Sequence, residues 1–494
     1  MIKDRKIEEK QSTRAVRAAM WAAVNTLIPM LTSFGVLVVT SRMLRPSDFG
    51  VVALATGVAL LGSVLCPGGF GEAIVQRLEL SPKHLNTVFW LCMASGCIVY
   101  ALECEFAGFA ARFFKIHAID VLVPVISLKL IMDMAAVVPN ALIARSMSFY
   151  LFALRSLVAS LIGASFTITL LLGGYGFWAL VVSQLITSFV NATAGFLSSG
   201  WRPQLSFSFT ALKEISGYGA YSSATSNISS LVAQNEQILV GYFLGTTQLG
   251  LYNFSKRVIA VLNSVIAGSL GAVAHPMFSG MQNDRERVRR GFLSATFVSS
   301  AISFPIFIGL AITSDRIVPL VFGSHWLNAV IFVRLQCALG LLACVGSLQA
   351  GLINSQGKAN WWFYYQLLAN LLTITVIAIF AQFGVKTMMI ALVLRAYIFW
   401  FIPVKMTLTL LSMKMAEYFR NYKGPAIGSV SMIFAIILDR LLFTRAGNIS
   451  GFATDVLFGG IAYLAGIFLT DRAKVLFTLK LFLPKSRSIR QLFP

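Results

Sequence analysis

Apolar stretches of about twenty residues, the length that carries a helix across a hydrocarbon core, recur from one end of this 494-residue chain to the other. A soluble fold would interrupt them with polar surface. Only 12% of the residues are charged, against about 25% in soluble domains, and the mean hydropathy is +0.78. These features exclude a disordered chain and a soluble enzyme. The chain reads as an all-α polytopic membrane protein.

The net charge of +21 would suggest a nucleic-acid binder in a soluble chain. Here most Lys and Arg fall between apolar runs, where retention on the cytoplasmic side explains them, and no nucleic acid is expected as a partner. The runs give 14 candidate spans. They lie near 16–39, 50–66, 86–107, 119–143, 152–173, 176–197, 216–243, 249–273, 292–313, 327–353, 361–382, 384–403, 422–444 and 456–470. Loops on the side of the two termini carry about three times the Lys and Arg of the opposite set, which puts both termini in the cytoplasm. The basic start (Lys3, Arg5, Lys6, Lys10, Arg14, Arg17) resembles a secretory n-region. The first run is too long for a signal peptide and lacks a small-x-small site at Ser41-Arg42, so it is expected to be a retained helix. Cys66, Cys92, Cys97, Cys104, Cys337 and Cys344 form no CxxC pair and read as buried small hydrophobes. No metal or cofactor is implied.

The run Leu44-Arg-Pro-Ser-Asp-Phe-Gly50-Val51 aligns with Leu244-Gly-Thr-Thr-Gln-Leu-Gly250-Leu251, an offset of 200. Gly71 pairs with Gly271 at the same offset, Ala141-Leu-Ile143 with Gly351-Leu-Ile353 at 210, and Tyr175-Gly176 with Phe383-Gly384 at 208. Six helices separate equivalent points, so the halves face the same way. The expectation is two parallel six-helix bundles related by a pseudo-twofold along the membrane normal, with a cleft between them. They would occupy residues 1–205 and 206–410, followed by two additional helices and a basic cytoplasmic tail at 411–494. That plan suits a secondary transporter.

The chain offers little for catalysis. Gly351-Leu-Ile-Asn-Ser-Gln-Gly357-Lys358-Ala359 has one residue too many between its glycines for a phosphate-binding loop, and Ala where Ser or Thr should hold magnesium. There is no HExxH. The sequons at Asn191, Asn227, Asn253 and Asn448 lie in or at spans and read as accidental.

Ionisable groups within spans are costly, about 2.5–3.5 kcal/mol each on insertion scales, and often mark a pathway. Lys129 and Asp133 stand four apart on one helical face. Two readings stand: a self-neutralising pair, or a cleft lining in which Asp133 carries a proton. Glu236 and Asn227 are nine apart, on opposite sides of a helix, so one of them faces a given cavity. Lys256 and Arg257 lie about 12 Å from the outer end of the eighth span. Arg257 is the preferred anion contact, because its planar fork suits phosphate. Arg395 is the fourth such site. The four cations outnumber Asp133 and Glu236, the only carboxylates expected to be buried and titratable, and so favour an anionic substrate.

Arg42-Met-Leu-Arg-Pro-Ser-Asp-Phe-Gly50 resembles the turn after the first helix in polysaccharide transporters of the MOP (multidrug/oligosaccharidyl-lipid/polysaccharide) superfamily. The stretch Glu236 to Arg257, containing Gly241-Tyr-Phe-Leu-Gly-Thr-Thr-Gln-Leu-Gly250, looks like that family's seventh-to-eighth helix signature. Pro276-Met-Phe-Ser-Gly-Met-Gln-Asn-Asp284 with Arg287, Phe304-Pro305 and Val321-Phe-Gly-Ser-His-Trp326 extend the likeness over about residues 12–410. It is closest to Wzx-type flippases of the WzxC kind. The resemblance implies flipping of undecaprenyl-diphosphate-linked oligosaccharides across a bacterial inner membrane, for exopolysaccharide, capsule or O-antigen synthesis. It also implies membrane lipid, a polysaccharide polymerase and chain-length machinery as partners. The family often has Asp where Glu236 stands, and Arg257 matches a recurrent basic position. Lys129 and Asp133 match no motif. Other readings are a lipid II flippase of the same superfamily, a drug/cation antiporter of the same fold, which would normally have 12 helices and acidic cavity residues, and a glycan polymerase or ligase using Arg316 and His325 in an outer loop near 314–326.

Overall fold

A computed structural model describes residues 29–146, 148–281, 284–442 and 448–482. The basic start, the beginning of the first expected span and the end of the basic tail lie outside the described residues. Among the described residues all regular structure is helical. Helix α1 covers residues 29–43. It is followed by α2 (Pro46–Ala59), α3 (Phe70–Gln76), α4 (Pro82–Phe114), α5 (Ala118–Ala135), α6 (Val137–Arg145), α7 (Phe149–Leu172) and α8 (Trp178–Ser199). Next come α9 (Phe209–Ser279), α10 (Arg285–Phe322), α11 (Val330–Ser355), α12 (Ala359–Phe380) and α13 (Val385–Leu411). The chain closes with α14 (Met415–Arg420), α15 (Lys423–Leu442) and α16 (Asn448–Phe482). Eleven helical segments among the described residues are long and apolar enough to cross a membrane. The first, seventh and eighth expected spans fall on α1 and α9. This is a multi-pass membrane protein.

Helix starts follow local chemistry. Pro46 and Pro82 open α2 and α4, where the missing N–H has no intrahelical partner to lose. The Arg45 amide donates to the Asp48 carboxylate at 3.0 Å, and the Ser81 amide donates to Nδ1 of His84 at 3.1 Å. Asp284 caps α10 by accepting the Arg287 amide at 3.0 Å.

Gly245 divides α9 into two arms. Its φ of 79° and ψ of 171° are open to glycine and strained for other residues. Beyond it, the two turns that align at the 200-residue offset touch each other. A Cβ on Gly50 would meet the Thr246 carbonyl oxygen at 1.7 Å, and one on Gly250 would meet the Pro46 oxygen at 1.8 Å. The contact is reciprocal, residue for residue, as a local two-fold requires. Backbone meets backbone, so only glycine fits at either position.

The chain separates into two compact units, Met1–Asn253 and Phe254–Pro494. The boundary between these units falls inside α9, because the first arm of α9 packs on the N-terminal helices: Gly219 lies against Phe70 and Gly57 against Gln237. In the first unit, Ile74, Val88, Cys92 and Val138 are fully buried in one core. In the second, Phe278, Phe292, Leu348 and Tyr418 form another. A smaller cluster of Phe297, Met432, Ile436, Tyr463 and Ile467 seats α15 and α16 on α10, where the Tyr463 hydroxyl donates to the Ala301 carbonyl at 2.8 Å.

The structure departs from the expected spans at three places. The run 50–66 is not one helix, and 119–143 breaks at Ala136 into α5 and α6. The outer loop expected near 314–326 is largely helix, because α10 continues to Phe322 and a 3₁₀ segment follows from Ser324 to Ala329.

Candidate functional site

The main irregularity in the first unit is the interruption of its second span. After α2 ends at Ala59, a 3₁₀ turn runs from Gly62 to Leu65 and leads through Cys66-Pro67-Gly68-Gly69 into α3. Pro67 has no N–H to continue a helix. Backbone freed inside a membrane must find partners within the protein, and side chains from α4 and α9 supply them. The Gly62 amide donates to Oε1 of Glu103 at 2.9 Å. The Asn227 amide nitrogen donates to the Val64 and Cys66 carbonyls at 2.7 and 3.2 Å. The Gly69 amide donates to the Ser223 hydroxyl at 3.0 Å, and the Ser222 hydroxyl donates to Glu72 at 2.5 Å.

Glu103 is 6% exposed, and its second carboxylate oxygen meets no hydrogen-bond partner among the described residues. Sequence reasoning missed it, naming Glu236 and Asp133 as the only buried carboxylates well placed to titrate. Glu103, Asp439 and Asp455 are all buried. The available signal was the Glu103-Cys-Glu105 sequence inside the apolar run 86–107. Arg155, similarly overlooked in the fifth span, is buried on α7, donates to the side-chain oxygen of Asn140 and lies over the Phe152 ring at 4.8 Å.

Lys129 and Asp133 form an ion pair on α5. The pair lines a cavity of about 440 Å³ within the first unit, with Thr32, Ser160, Thr187 and Gln184 among the other walls. Glu236, half-buried, accepts a hydrogen bond from the Tyr252 hydroxyl across the Gly245 reversal. Asn227 is engaged by the broken span. Lys256 is half-buried and has partners. Arg257 is exposed and makes no hydrogen bond or ion pair among the described residues. It stands eleven residues beyond the end of the reversal, about 17 Å along the second arm. Arg395 lines a separate cavity of about 370 Å³ within the second unit. Within the units, therefore, the residues singled out from the sequence group as the Lys129–Asp133 pair, the Asn227 contact with the broken span and Arg395 with its own cavity.

The polar residues weighed for catalysis have structural partners. Arg316 pairs with Asp455 at 3.0 Å and donates to the Gly451 carbonyl at 2.5 Å. Asp455, fully buried, also receives Arg440 at 2.9 Å, and Arg440 reaches Asp315 at 3.0 Å. This network ties α15 and α16 to α10. Among the described residues no group of three or more His, Cys, Asp or Glu could hold a metal ion. Four cysteines are buried as expected, whereas on α4 Cys97 is exposed and Cys104 is half-buried.

Broken helices and membrane-buried polar contacts within an apolar fold define a multi-pass helical membrane protein. The chain belongs to the polysaccharide biosynthesis protein family, which matches residues 39–331. It is similar to the teichuronic acid biosynthesis protein TuaB of Bacillus subtilis, at 22% identity over 467 residues, covering 90% of this chain and 93% of TuaB. It is also similar to the lipopolysaccharide biosynthesis protein WzxC of Escherichia coli, at 25% identity over 375 residues and 75% of each chain. Among solved structures, the lipid II flippase MurJ in an inward closed conformation shares the fold. Its TM-score is 0.75 at 14% identity, covering 93% of this chain and 100% of that one.

Proposed function

We propose that the protein is a flippase that moves polyprenyl-diphosphate-linked oligosaccharide repeat units across the bacterial inner membrane, with both termini in the cytoplasm. The glycan serves exopolysaccharide, capsule or O-antigen synthesis, and a polysaccharide polymerase and its chain-length machinery receive the product. The protein performs no covalent chemistry. Arg257 carries the reading: a guanidinium that is exposed and meets no hydrogen-bond or ion-pair partner among the described residues suits a phosphate that arrives, is held and leaves. Family membership supports the glycan, and the lipopolysaccharide and teichuronic acid relatives point to bacterial envelope polysaccharides. Lys256, Lys129, Arg395 and Asn227 complete the polar contacts to substrate. Asp133 and Glu236, each bonded to a partner that could release it, serve ion coupling.

The test uses purified protein in proteoliposomes with a fluorescent polyprenyl-diphosphate oligosaccharide and an impermeant glycosidase outside. Wild type raises the accessible fraction above one leaflet's share, and Arg257→Ala abolishes the gain. An unchanged gain in Arg257→Ala removes the site assignment. No gain for wild type under a pH gradient of either sign removes the function.

A further inference from the structure

The cavity of about 370 Å³ in the second unit is walled by α11, α12 and α13, and its size lies in the range of small-ligand sites, about 300–1,000 Å³. Its chemistry is specific. Trp362, Tyr365 and Trp400 contribute aromatic surface, Gln366 contributes an amide, Arg395 contributes a guanidinium, and the fully buried Gln349 backs the wall. Several of these groups are fixed from behind. The Trp400 indole donates to the Gln349 side-chain oxygen at 3.2 Å, and the Gln349 amide donates to the Tyr418 hydroxyl at 3.3 Å. Arg395 donates from one Nη to the Ala369 carbonyl of α12 at 3.0 Å, which anchors the fork between two helices.

Flat aromatic faces offer apolar platforms to the C–H face of a pyranose ring, amides match its hydroxyls, and a guanidinium matches a planar carboxylate with two parallel bonds. Depth narrows the choice of anion. Arg395 lies ten residues after Val385 and sixteen before Leu411, about 15 and 24 Å from the two ends of α13. An anion met that far from either membrane face is carried inward by the glycan rather than held among lipid headgroups.

The first unit supplies a contrast. Its cavity lies among four helices of one half, but it is lined by hydroxyls and amides around the Lys129–Asp133 pair, which neutralises itself. At the 210-residue offset Leu339 and Ala343 stand in place of that pair, and at the 208-residue offset Arg395 stands in place of Thr187. The two halves have therefore diverged to a neutral, hydroxyl-lined cavity and a cationic, aromatic one.

We infer that the cavity formed by Trp362, Tyr365, Trp400, Gln349, Gln366 and Arg395 is a subsite for an acidic sugar, a pyranose bearing a carboxylate, within the transported oligosaccharide. The inference rests on the flippase reading for its substrate but is tested separately from it. Detergent-purified protein is titrated with two soluble oligosaccharides that differ only in having a uronate or the matching neutral hexose, and binding is read from tryptophan fluorescence. Wild type binds the uronate form about tenfold more tightly. Arg395→Ala removes the preference while keeping affinity for the neutral form, Arg395→Lys restores part of it, and Trp362→Ala weakens both forms.

In proteoliposomes the same pair is attached to one polyprenyl-diphosphate carrier. The uronate substrate flips faster in wild type, and Arg395→Ala equalises the two rates by slowing the uronate form alone. Equal binding of both sugars by wild type overturns the subsite, whatever is flipped. Equal slowing of both substrates by Arg395→Ala also overturns it, because the diphosphate common to both would then be the anion recognised. Discrimination in binding with no flipping of either substrate leaves the subsite standing and removes the flippase reading.

Discussion

Asn227 holds the broken second span through two hydrogen bonds, to the Val64 carbonyl at 2.7 Å and the Cys66 carbonyl at 3.2 Å. Interhelical hydrogen bonds of this kind in membranes contribute about 0.6 kcal/mol on average and up to about 1.7. Asn227→Ala therefore lowers the free energy of opening the 60–69 segment by about 1–3 kcal/mol. Asn227→Asp does more, because it sets carboxylate lone pairs against the same two carbonyls. The segment carries its own reporters, since Cys66 and Cys92 are 2% and 0% exposed and donate to the Gly62 and Pro67 carbonyls. Maleimide labelling of either thiol requires local opening, so single-cysteine variants at these positions label about 5- to 150-fold faster in Asn227→Ala. Cys337 and Cys344, equally buried in the second unit, serve as controls and keep their rates. Unchanged labelling at Cys66, or an equal rise at all four thiols, would refute the claim that Asn227 holds this break.

Two further outcomes follow from other contacts. Asp455→Ala takes a fully buried carboxylate away from Arg316 and Arg440, leaving Arg440 paired with Asp315, and lowers stability by about 1–3 kcal/mol. Thermal unfolding in detergent measures the loss, and adding Arg440→Ala costs less than the sum of the two single changes. Arg316→Ala shares this structural cost, so lost transport in that variant reports a loosened α16 rather than lost catalysis. At the start of α9, ahead of the seventh span, the Glu214 carboxyl is held below the usual carboxylate range, chiefly by the hydrogen-bonded His84 ring at 3.0 Å and then by Arg77. Its folded pKa lies below its unfolded value of about 4.3. The resulting stabilisation is thus complete above that pH and disappears as pH falls through the folded pKa. Acid titration of tryptophan fluorescence at Trp90 and Trp201 shows the transition in wild type, and Glu214→Gln removes it.

The apolar runs determine by themselves that this chain spans a membrane many times as helix, because burying twenty uninterrupted apolar residues leaves no other placement for the backbone. Pro46, within the aligned turn, was legible for a local reason, since proline fixes φ and opens a helix, whereas the reversal at Gly245 emerged only with the structure. The offset of 200 pointed to two related turns, but only the tertiary structure brings Gly50 against Thr246 and Gly250 against Pro46, a contact between segments two hundred residues apart. The candidate site divides in the same way. An ionisable residue in an apolar run can be found from the sequence, as Lys129, Asp133, Arg257 and Arg395 were. Its role depends on what packs beside it, and spacing along one helix does not encode a neighbour from another. Asn227 reads as a ligand on its own helix, and only the packing shows that it also clasps a broken one, with Val64 and Cys66 lying within 3.2 Å. Glu103 goes unnoticed until Gly62, 41 residues earlier, turns its amide toward it. Hydrophobicity acts residue by residue and is written along the chain, whereas hydrogen bonds in a membrane are made between helices and exist only after the helices have packed.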